Sequence, residues 1–139
     1  MSENCSLCYD MQTKPFRTVH QNENCAVMTS YEPVLDGHCI VLPKLHRSTW
    51  HDLTEKESHS MWKTANEAAE ILKDVYGLDC IILANKGNHA TQSHIHIHVI
   101  PIKQNFRELV SNVSGASPRE RASDQKLMET RERIAACWR

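Results

Sequence analysis

The most constraining stretch of this chain is its alternation of histidine and branched apolar residues, His94-Ile95-His96-Ile97-His98-Val99-Ile100-Pro101. Side chains of a β-strand alternate between its two faces. A strand here puts His94, His96 and His98 on one face and Ile95, Ile97 and Val99 on the other, against a helix. Same-face residues follow one another at about 6.5–7 Å, so three imidazoles form a linear polar edge that can lie along a phosphate chain. A polar strand face that happens to use histidine, or an incidental metal-binding tract, is the alternative reading.

The rest of the chain pairs with such a strand. Cys25 to Thr29 reads as a strand, followed by a turn through Glu32–Gly37 and a strand from His38 to Leu42 that stops at Pro43. Phe16 to His20 reads as a short strand, and Leu78 to Ala84 as another. One long helix opens at Thr54, where Thr54-Glu55-Lys56-Glu57 forms a capping box. Met61, Trp62, Ala65, Ala68, Ala69, Leu72, Val75 and Tyr76 recur on it at helical spacing, and Gly77 ends it. Gln104 to Ala116 reads as polar and irregular. Ser117-Pro118-Arg119-Glu120 then looks like a second capping box, opening a C-terminal helix with Leu127, Met128, Ile134, Ala135 and Trp138 on one side. Strands and helices segregate, so the class is α+β with an antiparallel sheet, over residues 1–102, with residues 103–139 as a variable extension.

With 139 residues the chain is expected to be one domain with an extension. The 16 Lys and Arg against 17 Asp and Glu leave a net charge of −1, which gives no chain-wide basic footprint for nucleic acid. On the C-terminal helix, Glu120, Asp124, Glu129 and Glu132 interleave with the basic residues, as on a solvated face. The apolar runs are too short for a membrane span. Met1 to Cys5 has neither the basic nor the apolar region of a secretory signal, so a soluble cytoplasmic protein is expected. That expectation bears on the six cysteines. Cys25, Cys39, Cys80 and Cys137 are scattered and read as small apolar residues. Cys5 and Cys8 have the spacing of a zinc knuckle. Two more ligands are needed, and His46, beyond Pro43-Lys44, and His94 are the best placed. A Cys2His2 site is closed, so its zinc is structural and leaves His96 and His98 for chemistry.

At these residues the chain resembles the histidine triad family of nucleotide hydrolases and transferases. His94 to Ile100 match its His-φ-His-φ-His-φ-φ signature, where φ is apolar. Pro33, Gly37-His38 and Pro43-Lys44-Leu45-His46 match an upstream segment, and Asn85-Lys86-Gly87 its Asn-x-Gly. The resemblance covers about Cys5 to Ile102. It implies a homodimer with a five-stranded sheet per subunit and a nucleotide substrate, with a purine as the base. It makes His96 the nucleophile, attacking an α-phosphorus to give a nucleotidyl-histidine that water cleaves, with His98 and His38 orienting it and stabilising charge. Asn85, Gln92 and Ser93 would bind the phosphate, and Met28 and Tyr31 the base. Zinc-containing members of the wider superfamily use positions that map onto Cys5, Cys8, His46 and His94.

Two departures stand out. Ser30 occupies the position where the family has an Asp or Asn that holds the ribose, and one hydroxyl does not bridge two ribose oxygens as a carboxylate does. The loop between Gly87 and His94, which carries His89 as a solvated loop residue, is two residues shorter than in common members. They keep open a nucleotide-binding scaffold with vestigial catalysis. A zinc-activated water using triad histidines is a further alternative.

Overall fold

The computed structural model of the protein describes residues 4–84, 93–117 and 119–138. The chain divides into two compact units, Met1–Lys103 and Gln104–Arg139. The first unit holds helix α1 (Ser6–Thr13), a 3-10 turn at Pro15–Arg17, strands β1 (Thr18–Gln21), β2 (Cys25–Thr29) and β3 (Cys39–Pro43), helix α2 (Glu55–Tyr76) and strands β4 (Cys80–Leu83) and β5 (Ile97–Pro101). The five strands form one antiparallel sheet in the order β1-β2-β3-β5-β4. An α+β class with a five-stranded antiparallel sheet is what the sequence implies, and it is what the chain forms.

Successive side chains of β2 and β3 are buried on alternate faces, which divides the sheet between two cores. Cys25, Val27, Cys39, Val41, Ile97 and Val99 cluster with Met61, Ala65 and Leu72 of α2. From the opposite face Ala26, Met28, Ile40 and Leu42 cluster with Cys5, Leu7 and Cys8 at the start of α1. The sheet is thus covered on both sides, and α1 forms the smaller cover.

Helix α2 starts where its cap places it. The Thr54 hydroxyl accepts from the Glu57 N–H at 3.1 Å, and Gly77 ends the helix with a left-handed φ of 69°. The Glu57 carboxylate is also the target of Arg47, whose Nε and Nη2 donate to it at 3.0 and 2.7 Å. The stripe on α2 is narrower than its spacing suggests, because Trp62 and Val75 are exposed.

Five elements differ from the sequence reading, the first being β1, which begins at Thr18 rather than Phe16 because Pro15–Arg17 forms a 3-10 turn. Helix α1 was not expected, since its amphipathic pattern is weak and its cap is a thiol: Cys5 Sγ accepts from the Cys8 N–H at 3.4 Å. Strand β5 begins at Ile97 rather than His94, because the preceding segment bonds elsewhere: the Ile95 N–H donates to the Arg47 carbonyl at 2.8 Å. In the second unit, the stretch read as irregular contains helix α3 (Phe106–Ser114), with a full Asn105/Glu108 capping box. Helix α4 (Asp124–Cys137) opens later than Ser117, with Ser123 as its cap. Among the described residues, no helix is long and apolar enough to cross a membrane.

Candidate active site and metal centre

The histidines separate into two groups. His94 is fully buried and turns away from its neighbours in sequence. Its Nε2–H donates to the Pro43 carbonyl at 2.7 Å, so its Nδ1 carries the lone pair. That nitrogen faces the thiols of Cys5 at 3.6 Å and Cys8 at 3.3 Å. His46 Nδ1 lies 3.4 Å from Cys8 Sγ, and its Nε2 is 3.1 Å from the Ser48 hydroxyl. One ligand atom from each of Cys5, Cys8, His46 and His94 falls within 4.8 Å of the others.

These four residues fit a metal. Sulfur and nitrogen donors about 2.0–2.3 Å from a tetrahedral ion stand about 3.3–3.8 Å apart, and the three separations given above fall in that interval. The second nitrogen of each histidine is already engaged, which fixes ring orientation as outer hydrogen bonds do at metal sites. Burial holds the His94 imidazole neutral, with its pKa down to about 4, the Pro43 carbonyl opposing and His46 and His96 adding to the shift. A neutral imidazole is the form that ligates.

His96 and His98 belong to the second group. The His96 Nδ1–H donates to the carbonyl of His94 at 2.9 Å. That bond places the lone pair on Nε2. The Val34 N–H donates to His38 Nδ1 at 3.1 Å, so His38 carries its proton on Nε2 and donates it to His98 Nδ1 at 2.8 Å. His98 therefore holds its own proton on Nε2. The His96 and His98 rings meet edge-on with centroids 4.7 Å apart. Burial, then the neighbouring His96 and His38, lowers the His98 pKa to about 4, and burial likewise lowers that of His38. At neutral pH this pair is an uncharged donor chain.

All three side chains open into a cavity of about 640 Å3, within the range of small-molecule sites. Ser30 and Tyr31 line it too, as the sequence reading expects of nucleotide contacts, with Leu7 and Ile40 supplying apolar surface. Met28 is fully buried beneath, packed with Leu7 and Ile40, so the apolar surface facing the cavity comes from those two neighbours. Ser93 is exposed. Asn85, His89 and Gln92 lie outside the described residues. The sequence reading missed the contribution of α1, which brings Ser6, Tyr9, Asp10 and the adjoining Lys14 to the cavity. The only sequence signal is that this segment begins within the Cys5–Cys8 pair.

A family model described as the HIT domain matches residues 12–105. The chain belongs to the HIT family. This HIT chain is similar to a bis(5'-adenosyl)-triphosphatase of Dictyostelium discoideum, 34% identical over 80 residues, which are 55% of this chain and 54% of that protein. It is also 32% identical over 73 residues to an adenosine 5'-monophosphoramidase of Saccharomyces cerevisiae, covering 50% of this chain and 44% of the yeast protein. The HIT chain thus spans about half the length of these relatives. Among solved structures, a Zn-bound histidine triad family protein from Mycobacterium smegmatis superposes with a TM-score of 0.67 at 23% identity, over 73% of this chain and 77% of that one. That likeness establishes the shared fold.

Proposed function

We propose that this HIT protein is a nucleotide hydrolase or nucleotidyl transferase acting through His96 on the α-phosphate of a nucleoside phosphoramidate or dinucleoside polyphosphate. The observation that carries this reading is the 2.9 Å bond from His96 Nδ1–H to the His94 carbonyl, because it presents an Nε2 lone pair to a cavity also lined by His38 and His98. Two relatives act on adenosine phosphates by their names, a triphosphatase and a phosphoramidase.

In the first step His96 Nε2 bonds to phosphorus as the bond to the leaving group breaks, and the leaving group departs with that electron pair. It takes up a proton from solvent, to which the attacking water of the second step returns one. Water then attacks the phosphorus, the P–N bond returns its pair to Nε2, and a nucleoside monophosphate is released. Splitting the displacement into two suits an imidazole with an available lone pair. The neutral His98 Nε2–H is placed to donate to a phosphate oxygen as charge builds on it. His38 keeps that proton on the outer nitrogen of His98.

Cys5, Cys8, His46 and His94 would hold a zinc ion, since two thiols and two imidazoles are a donor set that zinc prefers. A closed set of this kind supplies structure: it ties the start of α1 to the segments that follow β3 and precede β5. His94 then serves twice, as a ligand through its ring and as the acceptor that orients His96 through its carbonyl.

The test is to mix the wild type and His96→Ala with an adenosine phosphoramidate, quench within one turnover and weigh the intact proteins. An adduct of nucleotidyl mass on wild type alone is the expected result. Turnover retained by His96→Ala would overturn the reading. Nucleotide bound without adduct or product would point to a binding role, and product without adduct, lost on chelation, to a metal-activated water.

A further inference from the structure

The peptide unit between His94 and Ile95 is held at both ends. Its carbonyl accepts from His96 Nδ1–H at 2.9 Å, and its N–H donates to the Arg47 carbonyl at 2.8 Å. A trans peptide is planar, with N–H and C=O on opposite sides, so turning one turns the other. The direction of the bond that sets the His96 tautomer is therefore governed from Arg47. Sheet pairing does not do this work, because the β3–β5 register ends at Val41 opposite Ile97.

Arg47 is fixed in turn from outside the histidine cluster. Its Nε and Nη2 donate to Glu57 Oε2 and Oε1 at 3.0 and 2.7 Å. Two parallel bonds fix the plane of a guanidinium as well as its position. Glu57 is 7% exposed and lies in the first turn of α2, where the Thr54 hydroxyl caps its N–H and the helix N-terminus favours a carboxylate. A continuous line of bonds thus runs from the start of α2 through Glu57, Arg47 and the 94–95 peptide to the His96 ring. A lysine at position 47 would supply charge without the fork.

We propose that Arg47 and Glu57 form a positioning pair for His96, an inference that rests on the reading of His96 as nucleophile. By anchoring the Arg47 carbonyl, the pair holds the 94–95 peptide in the one orientation that keeps the His96 proton on Nδ1 and turns the Nε2 lone pair toward the cavity.

The test uses the zinc-loaded full chain as wild type, Arg47→Met, Arg47→Lys, Glu57→Gln and the double variant Arg47→Met/Glu57→Gln. Long-range couplings in isotope-labelled protein report which nitrogen of His96 carries the proton. Wild type is expected to hold it on Nδ1, and Arg47→Met and Glu57→Gln to spread it over both nitrogens. With an adenosine phosphoramidate, kcat in Arg47→Met should fall by up to about 10²-fold, as a small misplacement of a reacting group costs. KM should change little, and Arg47→Lys should lose less. The double variant should lose no more than Arg47→Met alone, since each change removes the same pairing. Thr54→Ala weakens the start of α2 but leaves both partners in place, so it should lower Tm and keep kcat and the tautomer.

An unaltered tautomer and kcat in both single variants would overturn the inference and leave the pair as a clamp on α2. So would a loss of kcat that tracks loss of zinc, which would assign the pair to the metal ligands His46 and His94. A tautomer shift in Thr54→Ala as large as that in Glu57→Gln would also overturn it. Glu57→Gln leaves no buried carboxylate unpaired and decides the matter if Arg47→Met folds poorly. If wild type neither turns over nor forms an adduct, the nucleotide reading fails, while the tautomer measurement still decides what the pair does.

Discussion

His38 Nε2 lies 2.8 Å from His98 Nδ1, and the other nitrogen of His38 is held by the Val34 N–H. The chain of bonds runs one way: backbone N–H to His38, His38 to His98, His98 into the cavity. His98→Ala removes the donor at its end and is expected to lower kcat by about 10²–10³. His38→Ala leaves that donor in place but releases the proton to either nitrogen, so a smaller loss is expected. Steady-state kinetics on both variants would check the order, and an effect of His38→Ala equal to or larger than that of His98→Ala would contradict it.

Burial of His98 and the pairing of Glu57 with Arg47 make the fold acid-sensitive in two windows. His98 titrates at about 4 in the folded chain against an ordinary 6.5. Between those values the unfolded chain binds a proton that the folded chain refuses, so stability falls as pH drops from 6.5 to 4 and is insensitive to this group above. Glu57 is held below its ordinary 4.5, first by the Arg47 hydrogen bonds. Its contribution is present at neutral pH and is lost as pH falls below that range. Urea unfolding from pH 7.5 to 3.5 on wild type, His98→Asn and Glu57→Gln separates the two. His98→Asn should reduce the slope of the upper window, to which buried His94 and His38 also contribute, and Glu57→Gln should reduce that of the lower.

Much of this arrangement is legible in sequence, and the exceptions have physical causes. β2 and β3 are continuous apolar runs buried along nearly their whole length, as strands covered on both faces are, and Thr54 and Gly77 mark the ends of α2. The four metal candidates converge as their residue types suggest. Helix α1 was invisible because its cap is a cysteine and its inward residues, Leu7, Cys8 and Asp10, are not an apolar series. Helix α3 carries a plain local signal, since Asn105-Phe106-Arg107-Glu108 is a capping box in which each side chain caps the other's backbone N–H. The assignment of three histidines to one strand face failed for His94, whose neutral ring is drawn to two thiols and the Pro43 carbonyl.

Metal removal gives a prediction with a structural readout. Cys5 and Cys8 sit at the start of α1, and His46 and His94 on the two segments it is tied to. Metal at a thousandfold excess over its Kd stabilises a fold by about 4 kcal/mol. Chelation under reducing conditions should lower Tm accordingly and release amide protection in α1 before the central strands. Equal protection of α1 with and without chelator would show that its packing on Leu42 and Met28 suffices. Cys8→Ser should reproduce the chelated state.

The turn that delivers His38 depends on one glycine. Gly37 has φ +85°, and a Cβ there would lie 2.5 Å from Tyr76 Cε2 and 2.9 Å from Pro101 Cγ. Alanine at a positive φ costs upwards of about 1 kcal/mol without any collision, and here the neighbours are the end of α2 and the end of β5. Gly37→Ala should therefore destabilise by more than that figure and disturb His38, the next residue, lowering kcat as well as Tm. Tyr76→Ala should relieve the ring contact but not the backbone strain. The double variant is then expected to lose less than the sum of the singles, by an interaction energy of about 0.5–3 kcal/mol. Strict additivity in denaturant titrations would mean that the ring moves aside freely, and that backbone conformation alone reserves position 37 for glycine.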